Sequence, residues 1–136
     1  MTEPGQAVYV VQTHSRPTPH FDLRLEVAGV LRSWAVPKGP SMDPGVRRLA
    51  VPTTDHALDY ATFTTAPDAP GAVVAIWDSG TFEPLPDPAV DVARALADGH
   101  FAFRLDGRRL SGGFHLTRLR RDRGREYWIL AKMRRE

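Results

Sequence analysis

The chain has 136 residues, 42% hydrophobic and 25% charged, the balance of a soluble globular protein, and residues 1–136 read as one domain able to bury a core. It has no cysteine, so disulfides and thiolate zinc sites are excluded and any metal must be held by His, Asp or Glu. The net charge is only +2, yet eight Arg or Lys against two acids lie between Arg118 and Arg135, a stretch that reads equally as a solvated tail and as a phosphate-facing surface. No apolar run is long enough for a membrane helix and no signal-peptide pattern opens the chain, so no membrane association and a cytoplasmic location are expected.

In chain order, Ala7–Gln12 is rich in β-branched and aromatic residues and reads as a strand. His20–Val27 alternates polar with apolar, and Val30–Val36 follows the Ala28-Gly29 turn, which predicts a hairpin. Pro37–Gly45 is irregular by its prolines and glycines. Arg48–Val51 is the next strand, and Asp55–Ala61 is either a short helix or an ordered loop. After the irregular Thr62–Gly71, strands are expected at Ala72–Trp77, His100–Leu105, Gly113–Leu119 and Tyr127–Lys132, with a turn at Asp106-Gly107. One helix is expected, N-capped by Asp87 with Pro88 at its first position, Gly99 past its end, and Ala89, Val92, Ala93 and Leu96 on its apolar face. The pattern predicts a mainly β fold, a small closed or partly open β-barrel with one or two short helices. Trp34, Trp77 and Trp128 lie in strand-like runs and are expected in the core.

His20, Asp22 and Arg24 are spaced by two, so on a strand they share one face, opposite Phe21, Leu23 and Leu25. A solvated strand face is the ordinary reading of such alternation. A His beside an Asp is unusual for one, however, and Pro17 and Pro19 favour a turn that brings His14 over the same face. Two imidazoles and one carboxylate suit Mn2+, Zn2+ or Fe2+ and leave positions open for water and substrate. Arg24 either pairs with Asp22 or Glu26 or holds a phosphate bidentately beside the ion. Metal and guanidinium together are what phosphate-ester chemistry needs.

The run VVQTHSRPTPHFDLRLEVAGVLRSWAVPKGPSMDPGVRRLAV, continued by DHALDY, resembles the 3′-phosphoesterase domain of bacterial ATP-dependent DNA ligase D, a family with stand-alone members of this length. The likeness is densest over Val10–Tyr60 and continues through Ala75–Thr81 and Trp128–Lys132. It implies a β-barrel enzyme with Mn2+ in a groove, which removes a 3′-terminal ribonucleoside and then the 3′-phosphate from DNA or RNA–DNA primer ends to leave a 3′-OH. It further implies that His14, His20 and Asp22 bind metal, that Arg24, His56 and Tyr60 hold the scissile phosphate, that Gln12 lies near the metal, and that Lys38 and Arg48 line the groove. His56 and Tyr60 are four apart and would share a face of a helical turn. The nucleic-acid 3′ end is then the substrate, and a separate DNA ligase or polymerase is a candidate partner. A second reading is a metal-binding nucleic-acid-end or ligase-docking module with little catalysis. The chain departs from the family pattern at Pro17–Pro19, Phe21, Thr54, Ala57 and Ala66–Ala72, where a Tyr and most of a glycine-rich stretch are missing; no metal ligand is lost.

Overall fold

The computed structural model describes residues 6–136, so most of the short segment ahead of the first strand lies outside the described residues. Eight strands appear in the order β1 (Ala7–His14), β2 (His20–Val27), β3 (Val30–Val36), β4 (Arg47–Ala57), β5 (Val74–Pro84), β6 (His100–Gly107), β7 (Ser111–Asp122) and β8 (Arg125–Lys132). A 3-10 turn (Leu58–Thr62) follows β4, and the one α-helix among the described residues, α1 (Val92–Asp98), precedes β6. Every strand pairs antiparallel with its neighbours, and the sheet closes as β1-β2-β3-β4-β8-β7-β6-β5. Closure leaves these strands no free edge.

Period-2 alternation decides what fills the barrel. Tyr9 and Val11 of β1, Leu23 and Leu25 of β2, and Trp34 and Val36 of β3 point inward, where they meet Phe82, Phe101, Phe103, Phe114, Leu116 and Trp128. Each fully buried side chain of this size contributes about 1.5–3 kcal/mol of transfer free energy. Trp34 and Trp128 are core residues as expected, with their rings 6.0 Å apart and edge-on. Trp77 is not fully buried; it packs against the core's edge on Phe21, and Arg109 covers its ring.

The β2–β3 hairpin has the expected two-residue turn, Ala28 (φ 51) and Gly29 (φ 86), with Val27 opposite Val30. Positive φ at both positions is the type I′ geometry that matches strand twist. Other boundaries differ from expectation. β4 and β5 extend well beyond the predicted Arg48–Val51 and Ala72–Trp77, because their C-terminal halves pair with β3 and β6, partners distant in sequence. Gly107 belongs to β6, and the turn to β7 lies beyond it. The helix starts one turn later than predicted: Asp91, not Asp87, is its N-cap and accepts from Arg94 N at 3.1 Å. Asp87 instead closes a tight turn, accepting from Ala89 N at 2.8 Å, so Ala89 never enters the helix. Val92, Ala95 and Leu96 face the core, whereas Ala93 is exposed.

Candidate metal and phosphate site

The site is built on the outside of the barrel wall. The β1–β2 register sets Val10 opposite Arg24, Gln12 opposite Asp22 and His14 opposite His20, and β2–β3 sets Arg24 opposite Ser33. Since Leu23 and Leu25 point inward, this row points outward. It is nevertheless largely buried: Gln12, Asp22, Arg24 and Ser33 are all under 5% exposed. The cover is the 3-10 turn, which packs on β3, and Gln12 ties it down by donating to the carbonyls of Tyr60 (2.9 Å) and Phe63 (3.2 Å).

At the open end of this row His14 Nδ1, His20 Nε2 and a carboxylate oxygen of Asp22 lie within 4.8 Å of one another. The two rings stack, 5.3 Å apart and 9° from parallel. His20 Nδ1 is 2.8 Å from the carbonyl of Thr18, which only accepts, so this nitrogen carries the proton. A neutral ring then presents a bare Nε2 lone pair, and that atom is 3.2 Å from Asp22 Oδ2. Two lone pairs so close are tolerable only with a cation at the site or an added proton. His14 Nδ1 is 2.7 Å from the same oxygen but without hydrogen-bond alignment, leaving a buried nitrogen with no satisfied partner among the described residues. The three groups therefore fit a divalent ion. Burial, reinforced by Arg24 and His20 and only opposed by Asp22, holds His14 below the usual histidine value, which favours the neutral, ligating form.

Beside this cluster Arg24 is locked from three sides. Its Nε donates to Gln12 Oε1 at 2.7 Å, Nη1 donates to Ser33 Oγ at 2.8 Å, and Nη2 lies 3.6 Å from Asp22 Oδ2. The guanidinium lies over the Tyr60 ring at 4.9 Å, and Tyr60 stacks between His56 (4.2 Å) and Phe63 (4.8 Å). Glu26 is not its partner; that carboxylate accepts from Val8 N. Nη2 keeps donor capacity on the side of the carboxylate and the histidines.

His56 reaches this face by an irregularity in β4. Ser33 is paired with Thr53 and Leu31 with His56, so two steps on β3 match three on β4. Without that bulge Asp55 would oppose Leu31 and His56 would point away from the site. The expectation that His56 and Tyr60 share a helical turn is thus corrected: His56 is the penultimate residue of β4, Tyr60 sits in the 3-10 turn, and their rings still stack. Burial, then Arg24, holds His56 below the usual histidine value.

Of the residues singled out from sequence, Gln12, His14, His20, Asp22, Arg24, His56 and Tyr60 come together. Gln12 is a positioning residue, bonded to Arg24 and the 3-10 turn. Lys38 and Arg48 stand apart and line, with Arg47, a hollow of about 320 Å³ that none of those seven enters. Arg48 Nε also donates to the Gly39 carbonyl. Sequence reasoning missed Ser33 and Phe63. Ser33 was recoverable, because a two-residue turn at Ala28-Gly29 fixes it opposite Arg24; Phe63 carried no signal.

Comparison with known proteins bears on this geometry. Residues 12–118 match the DNA Ligase D 3′-phosphoesterase domain. The chain belongs to that family. It is 46% identical over 132 residues to the multifunctional non-homologous end joining protein LigD of Pseudomonas aeruginosa, covering 94% of this chain and 15% of that protein. The Mycobacterium tuberculosis LigD is 38% identical over 132 residues, with 93% of this chain and 16% of that protein covered. The chain therefore spans less than a fifth of the length of these relatives. Among the described residues no helix is long and apolar enough to cross a membrane.

Proposed function

We propose that this LigD-family domain is a metal-dependent phosphoesterase that trims 3′-terminal ribonucleosides and 3′-phosphates from DNA or RNA–DNA primer ends, leaving a 3′-OH. The observation that carries this reading is the convergence of His14 Nδ1, His20 Nε2 and Asp22 Oδ2 beside a guanidinium tethered by Gln12 and Ser33. The donor set of two nitrogens and one oxygen suits Mn2+, with Zn2+ and other divalent transition ions as competitors. When bound, such an ion polarises the phosphate and lowers the pKa of a coordinated water.

Arg24 binds a non-bridging phosphate oxygen through Nη2 and spends no energy on reorganisation, because its other donors are already engaged. His56 is neutral in the free protein near pH 7 and hydrogen-bonds the phosphate. An anion arriving between His56 and Arg24 favours the protonated imidazole, which then holds a proton within reach of the leaving oxygen. The end-joining role in the relatives' names supports a DNA repair setting.

Incubation with Mn2+ and a primer–template bearing a 3′-phosphate or a single 3′-ribonucleotide tests the reading, with conversion to a 3′-OH expected. Binding of ends without trimming, under conditions that load the metal, would replace the enzyme with a docking module.

A further inference from the structure

The N-terminal half of β4 carries a surface that the site does not use. Its outward residues form cross-strand rows with β8 and β7: Arg47 opposite Ala131 opposite His115, and Leu49 opposite Ile129 opposite Thr117. Small Ala131 between two larger side chains leaves a floor, and a hollow of about 390 Å³ opens above it. Arg47, His115, Thr117, Lys132 and Arg134 supply its polar lining, and no acid is among the lining residues. The hollow of Lys38 and Arg48 shares Arg47 with it and is also free of acids. Lys132 Nζ is turned to the Met133 and Glu136 carbonyls, so four full positive charges, Arg47, Arg134, Lys38 and Arg48, border these adjoining hollows in a chain of net charge +2, and the remainder of the molecule is net acidic.

The trough is continuous with the metal face. Asp22 is paired with Ala35 and Ala35 with Val51, and Leu49 and Arg47 follow two and four residues back along β4 on the same face. With strands about 4.8 Å apart and about 3.3 Å per residue, Arg47 lies about 15 Å from the metal cluster. That is about half a turn of duplex at about 3.4 Å per base pair. No Trp, Tyr or Phe lines either hollow, so unpaired bases have no aromatic platform there, and what the surface matches is a sugar–phosphate backbone.

We propose that this trough, centred on Arg47, grips the phosphate backbone of the duplex a few base pairs inside the 3′ end under repair. The choice of nucleic acid rests on the phosphoesterase reading; the contact surface does not. Fluorescence anisotropy of a blunt, 3′-OH duplex with the full chain, without metal and across a salt series, reads the surface directly. Arg47→Glu is expected to weaken binding about tenfold, and Arg47→Glu/Arg134→Glu further, with the salt slope falling by about one per lost phosphate contact. Arg94→Glu makes the same charge change on the exposed face of α1 and should leave affinity within about twofold and the slope unchanged. Equal weakening by Arg94→Glu, an unaltered slope in Arg47→Glu, or displacement of the duplex by polyglutamate would each overturn the proposal, the last in favour of an acidic protein partner. If the wild type trims no ends yet the duplex responses hold, the enzymatic reading falls and the trough stands. If ends are trimmed and Arg47→Glu binds like wild type, the reverse is true.

Discussion

Asp22 Oδ2 lies within 3.6 Å of nitrogens from His14, His20 and Arg24, so one buried oxygen is shared between the candidate metal cluster and the proposed phosphate clamp. The two halves separate by mutation. His20→Ala should abolish Mn2+ uptake, read by calorimetry, and abolish trimming, while circular dichroism stays native, because the ring is partly exposed and packs on no core residue. Arg24→Ala should retain the metal and lose phosphate affinity. It also strands Gln12 Oε1 and Ser33 Oγ in a buried setting, at a cost of about 1–3 kcal/mol in denaturant unfolding. Loss of metal in Arg24→Ala would contradict the roles given. The pH response follows from the lowered histidines. A folded-state pKa below the unfolded one means the unfolded chain binds more protons, so the stability held by neutral His14, His56 and His115 declines as pH falls below about 6.5. Metal affinity should fall in the same direction, because protons compete with the ion for the imidazole nitrogens; an affinity that rises as pH falls would remove the histidines from the ligand set.

At the scale of elements, short-range signals were legible and long-range ones were not. The Ala28-Gly29 hairpin followed from its turn, and the shared face of His20, Asp22 and Arg24 from their spacing by two. The true lengths of β4 and β5 depend on pairing with β3 and β6, which no local pattern encodes. The displaced helix start has a local origin instead: both Asp87 and Asp91 can cap, and Asp87 is engaged by its own turn. The β4 bulge was invisible because nothing about Thr54 or Asp55 announces an extra residue. It gives a sharp prediction. Inserting one alanine between Thr54 and Asp55 should set Asp55 opposite Leu31, turn His56 away from Tyr60 and lower trimming at least tenfold, while Mn2+ binding at β1 and β2 remains. Retained activity would show that His56 takes no part in phosphate binding.

For the whole molecule, closure depends on a buried carboxylate, Asp78, that no local sequence pattern singles out. Asp78 accepts from Arg108, Arg109 and Leu110 N–H at 3.0 Å and from the Tyr9 hydroxyl at 2.7 Å, pinning the β6–β7 turn to β1. Burial alone would raise its pKa; those donors outweigh burial and hold it below the usual carboxylate range. Its stabilisation is therefore present at neutral pH and lost as pH falls through that lowered value. Gly107 belongs to the same latch, since a Cβ there would collide with the Tyr9 hydroxyl and with Asp78. Asp78→Ala should cost about 3–5 kcal/mol in urea unfolding, because four donors, two of them buried, lose their acceptor; a loss under 1 kcal/mol would mean the turn is held otherwise.

The alternation along β2 has a kinetic consequence. Because Leu23 and Leu25, which flank Arg24, are locked in the core, the backbone of the strand that bears the proposed ligands cannot shift without opening the barrel, so its amides should exchange with solvent only by global unfolding. The 3-10 cover hangs on two hydrogen bonds from one side chain and should exchange much earlier. Metal ligands would then keep their geometry between turnovers while Tyr60, on the cover, comes and goes with each nucleic-acid end.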